Sequence, residues 1–176
     1  MLAGEAYRPD DPGLVTDRRH CQELLRNYNA RPEQELKYSG LDRLFAAVGE
    51  DTVLMSPFLC DYGFNISIGS GTFINYGAVV LDSATVTIGD QVQVGTGVHL
   101  LTAEHPLNPE ERRTGIETAR PITIEDGVWI GSGAIICPGV TIGENSVIGA
   151  GSVVTKDVEP GVLAYGNPCQ VVRPLP

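Results

Sequence analysis

Ile124, Ile130, Ile136, Ile142, Ile148 and Val154 stand at an unbroken spacing of six. That spacing fits neither the helical period of about 3.6 nor a plain strand alternation of about two carried on indefinitely. It fits a short strand and a tight turn, repeated, so that every sixth side chain points inward. This is the hexapeptide pattern of a parallel β-helix, in which three hexads close one roughly triangular coil. Upstream, Ile68, Ile74 and Val80 keep the same spacing, and after a slip of two residues Ile88, Val94 and Leu100 resume it. The weak unit Ser83-Ala84-Thr85-Val86 is expected to absorb the slip as a bulge or corner. Four places after the inward aliphatics come Thr72, Ala78, Val92, Val98, Val128, Ala134, Val140, Ser146, Ser152 and Val158, all small or β-branched, as a narrow core requires. Many of the 21 glycines fall in these blocks, where turns need positive φ or leave no room for Cβ.

The first 58 residues have another texture and read as a helical cap segment, with the hexapeptide domain running from 59 to 176. Leu14, Cys21, Leu24, Leu25 and Tyr28 share one helical face, and Asp11-Pro12 gives a start signal. Pro32 opens a second apolar pattern through Leu36, Leu41, Leu44, Phe45 and Val48, with Gly49 as its stop. The spacing predicts helices over 13–29 and 32–48 and a strand near Val53 to Met55. A β-helix exposes apolar core at its open ends, so the helices are expected to cover one.

One interruption breaks the coils. From about 102 to 120 there is no hexad, and a loop of that length in a regular solenoid is usually functional or disordered. It carries His105 beside Pro106, where a rigid coil hands over to a projecting loop, a sensible place for a general base. The other histidines have plainer readings: His20 on the polar side of the first helix, His99 in an outward position before Leu100.

A net charge of −10 without a Lys/Arg cluster argues against nucleic-acid binding. Cys21, Cys60, Cys137 and Cys169 are widely spaced, with no CxxC pair, so neither a zinc knuckle nor a disulfide framework is expected. No signal-peptide pattern or apolar run of membrane-spanning length is evident. A soluble cytoplasmic protein with reduced thiols, no metal and no membrane partner is the expectation.

Several ordered motifs go beyond the hexads. They are Met1-Leu2-Ala3-Gly4-Glu5 with Tyr7 and Asp11-Pro12, Cys60-Asp61-Tyr62-Gly63, Phe73-Ile74-Asn75, Val80-Leu81-Asp82 and Thr102-Ala103-Glu104-His105-Pro106. Val128-Trp129-Ile130-Gly131-Ser132, Gly149-Ala150-Gly151-Ser152-Val153-Val154-Thr155-Lys156-Asp157 and Gly166-Asn167-Pro168 complete the set. In these the chain resembles, over almost its whole length, the maltose/galactoside O-acetyltransferase group of hexapeptide-repeat acyltransferases, most nearly the maltose type. The resemblance implies a mainly β fold, a left-handed parallel β-helix with an N-terminal helical cap and one protruding loop. It also implies a homotrimer with sites between subunits, and direct acetyl transfer from acetyl-CoA to a sugar hydroxyl.

By the same resemblance His105 matches the catalytic base. Asn75, Asp82 and Arg18 match sugar-binding positions. Ser132, Ala150, Thr155, Lys156, Arg173 and Trp129 match positions along the acetyl-CoA site, Ser132 near the thioester and Lys156 toward the phosphates. Each has a plainer alternative, among them a turn residue for Asn75 or Ser132 and a subunit contact for Trp129. Three departures stand out. Ser83 replaces the second Asp of galactoside-type enzymes, which points to maltose- or glucose-type acceptors; Pro9 replaces an acid expected beside Arg18; and Gln170 replaces an Arg expected before Arg173. Rival readings are a metal hydratase, which needs three converging histidines, a cysteine acyl-enzyme, a non-catalytic structural β-helix, and an acetyltransferase for a non-sugar acceptor.

Overall fold

The columns of inward side chains set the architecture. In the computed structural model, which describes residues 1–30 and 43–176, Val48, Ile68, Ile88, Ile124 and Ile142 stack in register. Leu54, Ile74, Val94, Ile130, Ile148 and Ala164 form a second column, and Cys60, Val80, Leu100, Ile136 and Val154 a third. Three parallel sheets carry them around a parallel β-solenoid of about six turns. The first face comprises β1 (Ala47–Val48), β4 (Ile66–Ile68), β7 (Val86–Ile88), β12 (Ile122–Ile124) and β15 (Thr141–Ile142). The second comprises β2 (Val53–Leu54), β5 (Phe73–Ile74), β8 (Gln93–Val94), β13 (Trp129–Ile130), β16 (Val147–Ile148) and β18 (Val162–Gly166), with β19 (Cys169–Pro174) folded back antiparallel on β18. The third comprises β3 (Phe58–Cys60), β6 (Ala78–Leu81), β9 (His99–Leu101), β14 (Ile135–Ile136) and β17 (Val153–Val154).

The small residues four places on fill the corners as expected, and all ten, from Thr72 to Val158, are buried. Their hydroxyls are not orphaned. Thr72 donates to Gly89 O and accepts Val92 N–H, and Ser146 donates to Glu159 O and accepts Val162 N–H. Each inward aliphatic contributes roughly 1.5–3 kcal/mol by leaving water. At the corner between the second and third faces Gly77, Gly97, Gly133 and Gly151 stack with φ of +74°, +67°, +70° and +69°. That column takes glycine because a Cβ would be strained in this left-handed backbone. The slip of two residues falls between β6 and β7, at Asp82 to Thr85, as a corner.

Helix α1 (Pro12–Asn29) starts where the sequence predicts, with the Asp11 carboxylate accepting Gly13 and Leu14 N–H. It buries Cys21, Leu25 and Tyr28 over the first coil. Cys21 Sγ lies 3.5 Å from Cys60 Sγ, at the head of the third column. The Tyr28 hydroxyl donates to Leu54 O, and the Asn29 amide pairs both ways with the Phe58 backbone. The second predicted helix lies outside the described residues over 31–42, and over 44–48 the chain is turn and strand, not helix. Ala47–Val48 form β1, paired with Ser67–Ile68, so the coil begins before residue 59. Gly49 is a coil corner rather than a helix stop: a Cβ there would sit 2.3 Å from Ser70 N.

Candidate active site

Thr102, fully buried, fixes the point where the chain leaves the coil: its hydroxyl donates to Leu81 O at 2.6 Å and accepts Ala84 N–H at 2.9 Å. The segment beyond Thr102 is a hairpin rather than a structureless loop. β10 (Ala103–Glu104) pairs antiparallel with β11 (Thr118–Ala119), and α2 (Pro109–Arg113), capped by the Asn108 side chain, lies between them. Arg120 grips Glu104 through two hydrogen bonds of 2.7 Å, closing the base of the hairpin.

His105 is the first residue after β10 and Glu117 the last before β11, so the antiparallel register sets them side by side. His105 Nε2 lies 3.8 Å from Glu117 Oε1; the imidazole is largely exposed and the carboxylate mostly covered. Glu117 Oε2 accepts the Tyr7 hydroxyl at 2.8 Å. The backbones of Tyr7 and Glu117 also exchange hydrogen bonds of 2.9 and 3.0 Å, which lays the N-terminal segment along the hairpin.

Beside this line sits a second polar group. Arg18 donates to the Tyr62 hydroxyl at 2.5 Å and to Pro9 O, and its guanidinium stands 5.5 Å from the Tyr62 ring centre. Where an acid was expected, Pro9 thus offers its carbonyl. Asp61 is pushed up to about 6, first by burial and then by the Asp82 charge; Arg18 opposes the rise and Glu117 adds to it. Asp82 itself is wholly buried. Its carboxylate accepts the N–H of Asp61 at 3.0 Å, of Tyr62 at 2.9 Å and of Gly63 at 2.7 Å. Those three bonds tie the carboxylate expected to bind sugar to the preceding corner.

The remaining expected residues occupy two edges of the prism. Asn75, Ser132 and Ala150 lie along the edge between the second and third faces, each just after a second-face strand. The Asn75 side chain accepts Tyr76 N–H at 2.8 Å, and both Ser132 and Ala150 are exposed. Thr155 and Lys156 follow β17 on the opposite edge of the third face, the edge from which the hairpin projects, and are exposed. Trp129 points outward between Gln93 and Val147, 55% exposed. Arg173 lies exposed on β19. Within one chain His105, Arg18 and Asp61 therefore gather, whereas Asn75, Ser132 and Ala150 stand across the width of the third face, roughly 15 Å at strand rise.

Glu117, Asp61 and Tyr7 were not singled out from sequence as site residues. The thiols are unsuited to nucleophilic work: Cys60 is pushed up by its hydrogen bond with Cys21 and by burial, and burial likewise raises Cys137 and Cys169. Among the described residues no three His, Cys, Asp or Glu side chains cluster as metal ligands, and no helix is long and apolar enough to cross a membrane.

Known proteins agree with this architecture. Residues 121–156 match the bacterial transferase hexapeptide (six repeats) family, and residues 1–49 the maltose acetyltransferase hexapeptide capping motif. Nodulation protein L of Rhizobium meliloti (strain 1021) is 47% identical over 173 residues, 97% of this chain and 94% of the relative. The crystal structure of a maltose O-acetyltransferase from Clostridium difficile 630 superposes with a TM-score of 0.96 at 44% identity, covering 99% of this chain and 95% of that one. A galactoside acetyltransferase in complex with coenzyme A superposes at 0.93 with 41% identity, covering 99% and 88%. The chain belongs to the maltose/galactoside O-acetyltransferase group of hexapeptide-repeat acyltransferases.

Proposed function

We propose that this chain moves the acetyl group of acetyl-CoA to a hydroxyl of a maltose- or glucose-type sugar, in one direct step with His105 as general base. The observation that carries this is the His105–Glu117 pair at the base of the hairpin. A hydroxyl is a poor nucleophile at neutral pH, so its proton must pass to a base as the oxygen attacks the thioester carbon. The imidazole accepts that proton, and Glu117 balances the imidazolium charge. Ser132, through its N–H or hydroxyl, holds the oxyanion of the tetrahedral intermediate. Collapse breaks the C–S bond, and the imidazolium returns its proton to the departing CoA thiolate. Lys156 and Arg173 receive the CoA phosphates, Ala150 and Thr155 the pantetheine arm, and Trp129 flanks the channel. Arg18 and Asn75 contact the sugar, with Asp61 beside them.

The two-edge arrangement favours a homotrimer. The hairpin edge of one chain meets the Asn75–Ser132–Ala150 edge of the next only if chains pack side by side. The outward residues are compatible with that packing. The second face presents Val53, Phe73, Gln93, Trp129, Val147 and Leu163, and the third Leu59, Val79, His99, Ile135 and Val153. The first face turns out Ser67, Thr87, Thr123 and Thr141. Two mainly apolar faces and one hydroxyl-lined face suit a subunit with two neighbours and one wet side. Acetyl-CoA as donor goes with a cytoplasmic setting.

Thiol release from acetyl-CoA, measured over glucose, maltose, a galactoside and several non-sugar alcohols, tests the reading. Release above the acceptor-free rate is expected with glucose or maltose. Release with non-sugar alcohols alone would overturn the sugar acceptor, and no release with any alcohol would overturn the transfer.

A further inference from the structure

We propose that Tyr7 is a positioning residue for this reaction: its phenol fixes the Glu117 carboxylate against His105, so that the N-terminal segment completes the base. The inference rests on the reading of His105 as the base.

A carboxylate that pairs with an imidazole through one oxygen needs its other oxygen held, or it turns about its terminal torsion, which is broad and roughly two-fold. Here Glu117 Oε1 faces His105 Nε2 at 3.8 Å while Oε2 accepts the Tyr7 hydroxyl at 2.8 Å. Both oxygens of one carboxylate are thus directed, one by a fixed donor and one toward the ring. The donor is itself constrained. Two backbone hydrogen bonds join Tyr7 to Glu117. The line Tyr7, Glu117, His105 runs from the N-terminal segment to the exposed imidazole. Burial and the Glu117 charge keep the phenol protonated and therefore a donor.

This arrangement explains why a residue so near the chain's start reaches a site 110 positions away. The Tyr7 ring needs no hydroxyl to pack, and phenylalanine fills its place. The hydroxyl is spent on Glu117, whose only other described side-chain partner is His105. Among the described residues no hydrogen bond joins Tyr7 to His105, so its influence runs through the carboxylate.

The test compares wild type, Tyr7→Phe, Glu117→Gln and the double variant, with His105→Ala as the reference. Two quantities are read: steady-state acetyl transfer to maltose, and the rate at which diethyl pyrocarbonate modifies His105, identified as the signal lost in His105→Ala. Tyr7→Phe is expected to keep its melting temperature and its KM for acetyl-CoA while kcat falls about tenfold, the scale of one hydrogen bond to a charged group. Modification of His105 is expected to quicken about twofold or more, since a ring released from Glu117 offers both nitrogens. In the Glu117→Gln background the Tyr7→Phe change should add nothing to either quantity. Equal His105 modification rates in wild type and Tyr7→Phe would overturn the inference, and so would a kcat loss that is fully additive with Glu117→Gln. If His105→Ala keeps normal turnover, or maltose is not acetylated at all, the base or acceptor reading fails instead, and the modification rates still decide the role of Tyr7.

Discussion

Asp82 Oδ2 accepts the Gly63 N–H at 2.7 Å from one coil above, and its Oδ1 accepts two further N–H groups, those of Asp61 and Tyr62. One carboxylate thereby shapes the corner that presents Asp61 beside Arg18 and supports Tyr62 under its guanidinium. Asp82→Ala strips the acceptor from all three donors. At about 1–3 kcal/mol for each orphaned group, a loss on the order of 3 kcal/mol or more is expected, read as a lower urea midpoint. The fraction that folds should show no rise in acceptor KM. A higher acceptor KM with unchanged stability would return Asp82 to the ligand site.

Asp61 makes stability depend on pH. In the folded protein its carboxyl is pushed up to about 6 from an ordinary value of 3.8, chiefly by burial and then by Asp82. Between those values the folded chain holds a proton that the unfolded chain has released, so stability contributed by this group is full below the lower value and is lost as pH rises through the upper. Melting temperatures of wild type and Asp61→Asn should therefore agree most closely near the acid end of that window. The variant should become the more stable of the two above it. A difference that is flat with pH would show that Asp61 titrates normally.

The columns were legible because each inward aliphatic repeats the same physical demand, so Ile68, Ile74 and Val80 could be aligned with Ile88, Val94 and Leu100 across the slip at Asp82 to Thr85. The start of α1 was legible because Asp11 acts through its own neighbours. Ala47–Val48 was misread because sheet pairing with Ser67–Ile68 overrode a local helical pattern. His105 stood out by its place at the handover from coil to loop. Its partner Glu117 did not, since two strands of two residues, Ala103–Glu104 and Thr118–Ala119, leave no periodicity to read. The corner that Asp82 holds was not legible, because its three donors are backbone groups, which carry no sequence signal.

The Glu104–Arg120 clamp closes the hairpin that carries both His105 and Glu117. It is a surface pair, with side chains 35% and 57% exposed, so its share of global stability is about 1 kcal/mol at most. Arg120→Ala should thus shift the melting temperature little yet lower kcat severalfold, because the foot of the hairpin loosens around His105 and Glu117. Circular dichroism melts beside steady-state rates check this. A large loss of stability with normal kcat would make the clamp structural only.

Lys156 lies exposed on the hairpin edge of the third face, where a point charge is available to phosphate. Lys156→Ala should raise KM for acetyl-CoA about tenfold, the scale of a single charged hydrogen bond, and leave kcat within about twofold. The effect should shrink at high salt, as screening removes what the lysine supplied. A fall in kcat with unchanged KM would place Lys156 away from the donor.

His105→Ala removes the proton acceptor and leaves the coil beneath untouched, since the imidazole is largely exposed and Thr102, not His105, anchors the departure of the hairpin. Acetyl transfer should fall by roughly 100- to 10,000-fold, the usual contribution of a positioned base, while calorimetric CoA binding and the assembly state stay as in wild type. Glu117→Gln should fall less, because it weakens the hold on the imidazolium without removing the base. Near-normal turnover in a well-folded His105→Ala protein would assign the proton to another group, and Asp61, half-protonated near pH 6 and beside Arg18, would be the next to change.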